Sequence, residues 1–571
     1  MRLTYFSAIF AIAIVLISSS ALFAVPIDEA VITDTFTFAQ TRVTNEINII
    51  KASYPTTYQN KFPSTTNASG TNLGKWALSD SYYWGSGFWC GGMWQLYDRT
   101  GNASWMTNAR AWTDGMSPQL TDTGTHDIGM RTVYSFGKAY THYNDTNDPG
   151  GTYRNTIKSN LATAANSLNA RFNMGGVPVG GTRSWTGIEG QYPICIDNMM
   201  NLELYFMAYE LNGKQTSQKV WYDNAVSHAN LTIAQHLRSD GSTYHVVRHY
   251  EADNGPDKPK GSIERKNTRQ GFGDETTWSR GEAWAVYGFT MTYRYTKDDA
   301  SVNPQNFLNA AKATADYFID HLPNNYTADT YNHVDGDFVP PSDFDAALGE
   351  PAGPWCDANN NGIPNEAVSG TISGKTYVDD RCLGTQAFVA RDSSAAAITA
   401  SGLLNLCTYV TGAERQKYFT AAESILNCLM TFKGSDNLLD YLAKDSVHQG
   451  ILAAHSSYWN ATQNCADYGD YMFLEALNRY EALRPLAGDA NEDLTVDVID
   501  LGLMATNYDQ AGNWNTGDFN GDGVVNVIDL GQMATNYGQS KVSGMDAGLV
   551  PEPATMGLLL AGLAGVIRRK I

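Results

Sequence analysis

Cysteine is scarce in this chain. Its seven thiols in 571 residues (Cys90, Cys195, Cys356, Cys382, Cys407, Cys428 and Cys465) are unevenly spaced and form no C-x-x-C pair. That excludes a disulfide scaffold, and the odd count leaves at least one thiol free. Cys356 and Cys382 bracket an insertion and are the one pair placed to bridge in an oxidising compartment. Basic charge is also in deficit, with 39 Lys and Arg against 59 Asp and Glu and a net charge of −20. Unaided binding to nucleic-acid phosphate or to an anionic membrane needs clustered Lys and Arg, so neither is expected. A small anionic substrate stays allowed, because one local Arg outweighs a distant field. Long hydrophobic runs are missing too. The apolar stretch Ala8–Ile17 is too short for a comfortable membrane span. With Arg2 before it and the small residues Ser18–Ala24 behind it, it reads as an export signal over 1–24.

What is present is a globular composition, 43% hydrophobic and 12% aromatic, from which a core can be built. Over 25–484 helix signals alternate with polar loops, and a weak repeat recurs from Leu96, Tyr209, Tyr293 and Tyr409. Each copy ends one helix at an aromatic, turns through Thr, Gly and Asn, and starts another helix. A repeating helical hairpin indicates a closed ring or a solenoid. Twelve segments are expected: 31–53, 87–99, 102–115, 127–143, 153–170, 197–211, 215–237, 279–296, 304–321, 393–412, 414–433 and 467–483. Six hairpins closing on themselves give an all-α (α/α)6 barrel. The long loops 172–196, 238–278, 322–391 and 434–466 follow alternate helices and so share one end, where a site would form.

Five helix starts set polar residues among aromatic or apolar ones. Trp84 and Trp89 flank Gly85 and Gly87, as faces for a sugar ring or as close helix packing. His126 and Asp127 open a helix at its positive end. In PICIDNMMNLEL, Asp197 lies between the apolar Ile194–Ile196 and an apolar helix. Burial there would raise its pKa and suit it to donate a proton; it also reads as a plain helix N-cap. In WSRGEAW, Arg280 offers a fork for a carboxylate, with Trp284 one turn further on the same face. Arg391-Asp392-Ser393-Ser394 before an alanine run reads as an ordinary cap. Together they point to a pocket for an acidic carbohydrate. DANNNGIPNE from Asp357 in the 351–391 insertion is an unrepeated candidate calcium turn or a simple Asn/Gly turn.

His126-Asp127-Ile128-Gly129, IDNMMNLEL, WSRGEAWAVYGFTMTYRYTKD and RDSSAAAI, in this order, resemble the unsaturated glucuronyl hydrolases of glycoside hydrolase family 88. The resemblance implies an (α/α)6 barrel that removes a 4,5-unsaturated uronic acid from the non-reducing end of lyase-generated oligosaccharides, without a catalytic cofactor. It also implies that Asp197 protonates C4 of the vinyl ether and then activates the water that adds at C5. Asp127 would hold sugar hydroxyls and tune Asp197. Trp84 and Trp284 would stack on or wall the ring, with His126 beside them. His245 and Gln270 would lie near the uronate and the water, and Arg280 would hold the uronate carboxylate. Arg269 and Ser342 depart from the family's frequent His and Trp, which bears on the aglycone rather than on the chemistry. A rhamnogalacturonyl hydrolase and a non-catalytic carbohydrate-binding protein are the alternatives.

After Pro485 the composition shifts. Asp489, Asn491, Asp493, Asp497 and Asp500 occupy calcium-loop positions, and Asp518, Asn520, Asp522, Asn526 and Asp529 repeat them. Leu494 stands where the second loop has Gly523 and is expected to strain the first turn. The doubled loops over 485–540 resemble a type I dockerin, implying Ca2+ and a cohesin-like partner. The 541–571 tail, with VPEP, a short apolar run and Arg568-Arg569-Lys570, resembles a PEP-CTERM sorting signal. That implies a sorting protease acting on 550–571 and an envelope or extracellular address.

Overall fold

The computed structural model describes residues 27–186, 190–325, 335–345, 369–372, 375–378, 390–432, 440–456 and 464–541. Cys356, Cys382 and the Asp357 turn lie outside these residues. The chain divides into two units, Pro26–Arg484 and Pro485–Ser540.

Among the described residues, the larger unit is built on twelve α-helices in six hairpins. They are α1 (Glu29–Ser53), α2 (Ser86–Thr100), α3 (Ala103–Gly115), α4 (Ile128–Thr132, continued through a π turn Val133–Gly137 into Lys138–His142), α5 (Thr152–Asn169), α6 (Asn198–Leu211), α7 (Lys219–Gln235), α8 (Ser279–Thr296), α9 (Gln305–Asp320), α10 (Ser393–Leu406), α11 (Gly412–Thr431) and α12 (Asp467–Leu483). The even-numbered helices pack in order, α2 on α4, α4 on α6, and so on to α12 on α2, closing an inner ring; the odd-numbered ones lie outside.

Sequence pattern separates the two layers. α1 buries Ile32, Phe36, Ala39, Val43, Ile47 and Ile50, a single stripe at helical spacing. α10 buries every residue, so it is a helix with no solvent face. Glycines let the inner helices approach. A Cβ on Gly288 of α8 would lie 2.4 Å from Met199 Cβ of α6, and one on Gly129 of α4 would lie 2.5 Å from Asn201 Cα of α6. The remaining four seams of the ring carry Gly87, Gly91, Gly402 and Gly469 in the same way.

The all-α expectation needs correction in the loops. β1 (Phe62–Thr66) pairs with β2 (Trp76–Ser79). β3 (Gln191–Cys195), β4 (Val246–Tyr250) and β5 (Ile263–Asn267) form an antiparallel sheet in the order β3-β4-β5. These strands draw on the two long loops after α5 and α7, whose main-chain groups must find partners once they cover the ring.

The smaller unit has two short helices, α13 (Val498–Asn507) and α14 (Val527–Asn536), each opened by a capping box, Asp497 with Asp500 and Asn526 with Asp529. Val496, Leu501, Met504, Phe519, Val525 and Met533 form its core. Asp489 accepts from the N–H of Asp493 and Leu494, and Asp518 from those of Asp522 and Gly523. The two loops therefore curl alike. The first needs φ of +59° at Glu492 and +70° at Leu494, where the second has Gly521 and Gly523. A side chain in that region costs about 1–2 kcal/mol per residue.

Candidate active site

All six inner helices start at the end that carries the long loops. Their first residues bring Trp84, Asp127, Asp197, Arg280, Asp392 and Tyr468 to one mouth. The β3-β4-β5 sheet supplies one wall. Cys195 pairs with Val246, and Val246 with Asn267, so three strand ends meet at one edge. Asp197 follows β3, His245 precedes β4, and Thr268, Arg269 and Gln270 follow β5.

Asp197 occupies the N-cap position of α6, yet its side chain makes no capping bond, and the capping expectation is corrected. The N–H groups of Met199 and Met200 go instead to the carbonyls of Ile196 and Asp197. The freed carboxylate turns to the mouth, where its side chain is 19% exposed. Cys195 Sγ donates to its Oδ2 at 2.7 Å, and His245 Nε2 lies 3.8 Å from the same oxygen. Burial lifts the Asp197 pKa above the usual carboxylate range. The Cys195 hydrogen bond and the charges of His126 and Arg280 oppose that rise, while Asp127 adds to it.

The proton positions of the two histidines follow from fixed neighbours. His245 Nδ1 accepts the Arg269 N–H at 3.2 Å, with Thr268 Oγ1 at 2.9 Å. Burial and the nearby arginines Arg269 and Arg280 hold its pKa well below the ordinary value. The ring is therefore neutral and carries its proton on Nε2, toward Asp197. Cys195, Asp197 and His245 have ligand atoms within 4.8 Å of one another, a spacing that a metal ion could use. With Nε2 protonated, His245 offers that ion no lone pair, and the trio is arranged for hydrogen bonding.

Asn198 donates to Thr182 O and Ser184 Oγ, so its Oδ1 must accept, and His126 Nδ1 donates to it at 2.6 Å. His126 Nε2 then lies 3.2 Å from Asp127 Oδ1. Asp127 Oδ2 accepts from Thr125 at 2.6 Å.

Arg280 is buried, and its fork is occupied by an internal carboxylate: NH1 donates to Asp392 at 2.6 Å and to the Ser456 carbonyl. Its guanidinium stacks on Trp278, 4.6 Å from the ring centroid, and on Tyr468. Asp392 does cap α10, accepting from Ser394 and Ala395, and is also the Arg280 partner. Burial would raise its pKa, but Arg280, His455 and Ser394 bring it down to about 2. Trp84 is half-buried against Tyr468, with centroids 4.7 Å apart. Trp284 is 1% exposed, 6.4 Å from Tyr468. Gln270 is half-buried beside Arg269, whose guanidinium lies 4.7 Å from the Trp185 ring centroid. Ser342 is fully buried, its carbonyl accepting from Ser279 at the start of α8.

Sequence reasoning missed Cys195, Asn198, His455 and Tyr468. The first two sit inside the Asp197 motif and carried a signal only in their neighbours; the others come from loops and helix starts distant in the chain.

Comparison with known proteins places these features in context. The chain is 31% identical over 430 residues to an unsaturated glucuronyl hydrolase of Formosa agariphila, covering 74% of this chain and 86% of that one. It is 25% identical over 447 residues to an unsaturated chondroitin disaccharide hydrolase of Streptococcus pneumoniae, covering 76% and 88%. Among solved structures, an unsaturated glucuronyl hydrolase specific for heparin aligns with TM-score 0.58 at 28% identity, over 79% of this chain and 97% of that one. The enzyme from Bacillus sp. GL1 shares the fold, with TM-score 0.55 at 24% identity over 77% and 96%. Residues 549–570 match the PEP-CTERM protein-sorting motif.

Proposed function

The chain belongs to the unsaturated glucuronyl hydrolases, which are glycoside hydrolases, and from that premise we propose a substrate, a mechanism and an address. The substrate is an oligosaccharide left by a polysaccharide lyase, carrying a 4,5-unsaturated uronic acid at its non-reducing end. Asp197 gives its proton to C4 of the vinyl ether. A water molecule adds its oxygen to C5 and returns a proton to the Asp197 carboxylate. The resulting hemiketal opens and releases the aglycone. One group must serve first as acid and then as base, which calls for a carboxyl poised well above its ordinary pKa. The observation that carries the proposal is the Asp197 carboxyl itself: open to the mouth, free of the capping bond, and raised by burial. Asp127, fixed by Thr125 and His126, holds sugar hydroxyls, and the half-buried Trp84 stacks on the ring. Arg280, anchored by Asp392, places its guanidinium charge behind the acid, and Gln270 and His245 line the uronate side. The rhamnogalacturonyl and non-catalytic alternatives draw no support from the relatives named above. Incubation with a lyase-generated disaccharide tests the proposal. Loss of the ultraviolet absorbance of the vinyl ether is expected, and a flat trace with every unsaturated uronide would reject it.

The 485–540 unit is proposed to bind Ca2+ at Asp489, Asn491, Asp493, Asp497 and Asp500, and at Asp518, Asn520, Asp522, Asn526 and Asp529. The donor set fits a hard cation. Burial and the like charges of Asp500 and Asp493 push Asp489 up to about 7, a crowding that a cation relieves. Val498, Ile499, Val527 and Ile528 are more than half exposed in matching positions, an apolar pair per repeat suited to a cohesin-like partner. The PEP-CTERM motif is an export sorting signal; its cleavage by a sorting protease would leave the enzyme at the envelope or outside it. Chelation is expected to lower the melting temperature of this unit and spare hydrolysis, measured by calorimetry and turnover on the same sample.

A further inference from the structure

We propose that Cys195 is a positioning residue for Asp197: its thiol holds Oδ2 on the protein side, so that Oδ1 alone faces the substrate. The inference rests on the acid and base role proposed above for Asp197.

Cys195 is the last residue of β3, and its N–H donates to Ser184 Oγ at 2.8 Å, which pins the strand end. Its Sγ donates to Asp197 Oδ2 at 2.7 Å, and His245 Nε2 lies 3.8 Å from the same oxygen, outside hydrogen-bond distance. A thiol hydrogen already on Oδ2 disfavours a further proton there. The proton of the acid form therefore sits on Oδ1, and the same oxygen takes the proton back from water. Cys195 is 4% exposed, and burial, with the Asp197 charge next to it, holds its thiol protonated. It stays a donor through both halves of the reaction. The bond also favours the carboxylate form, and so keeps burial from making Asp197 too weak an acid. The thiol acts through Asp197 and has no role at the sugar.

The test compares wild type with C195A, C195V and C195S in turnover of a lyase-generated unsaturated disaccharide across pH. Alanine removes the donor, valine removes it while filling the volume, and serine keeps a donor. C195A and C195V are expected to lose about five- to tenfold in kcat, the worth of one hydrogen bond from a weak thiol donor, with KM unchanged. Losing the donor raises the Asp197 pKa further, so the alkaline limb of the kcat profile moves to higher pH. C195S brings both rate and limb back toward wild type. A limb and kcat that stay at wild-type values in both donor-less variants would overturn the proposal. So would a change confined to KM, or a serine variant no better than alanine. Wild-type turnover in the same assay reports on the reaction itself, so a failure of that reading is seen separately from a failure of the Cys195 role.

Discussion

The two ends of the inner ring use the same residue types to opposite effect. At the loop end the carboxyls are held partly un-neutralised. Asp197 is raised by burial, and Glu282, buried with Thr243 as its donor, is pushed up to about 8. Deeper in the ring, toward the C-terminal ends of the inner helices, the carboxylates are saturated. Glu475 accepts from Ser401, Tyr287 and Tyr471 and pairs with Arg479. Against burial, Arg479, Lys138 and those hydroxyls bring it down to about 2. Glu203 pairs with Arg294 in the same half. One end spends stability on keeping a proton available; the other uses its charges to close the ring. Asp392 is an exception at the loop end, and it shows why: it belongs to Arg280, not to the mouth.

Breaking each end should therefore produce different losses. The largest effect is expected from Asp197→Asn, which keeps shape and removes the proton: a fall in kcat of about 10³-fold or more with an unchanged melting curve. Residual activity near wild type would remove Asp197 from the chemistry. Next is Glu475→Gln, which leaves the half-buried Arg479 without its charge partner. It should cost about 3 kcal/mol in a denaturant titration, while the folded fraction keeps its turnover. The smallest effect is a sharpening by pH. Glu282 has a folded pKa near 8 against an ordinary 4.5, so its contribution is full below 4.5 and is lost as pH rises to 8. Glu475 has the reverse sign, full above 4.5 and lost as pH falls toward 2. Glu282→Gln should flatten the loss of stability between pH 4.5 and 8, read from melting curves across pH, and leave the Glu475-linked loss below 4.5 unchanged.

Much of the ring was legible because helix signals are local. The expected 127–143 segment corresponds to Ile128–His142, and the motifs at four inner helix starts were read from a few residues each. The π turn at Val133–Gly137 left no such mark. The β3-β4-β5 sheet was not legible either. Its strands contain Pro193, Arg248, His249, Arg265 and Lys266, and β3 pairs with β4 across more than fifty residues of sequence. That sheet is what sets Cys195 and His245 against Asp197, so the part of the site hidden from sequence is the part built by non-local pairing. Asp197 looked like a cap because position and residue type both fit. What differs is only where two N–H groups point, which a sequence does not state.

The glycines between the inner helices have a consequence for the Asp197 helix. A closed ring has a fixed circumference, so a seam widened by one methyl group cannot relax by spreading outward at a free edge; its neighbours must shift. Gly129 and Gly288 face α6 from either side, at Asn201 and Met199. The aim of the proton donor at the head of that helix is thus set by two methyl groups that are missing from the helices beside it.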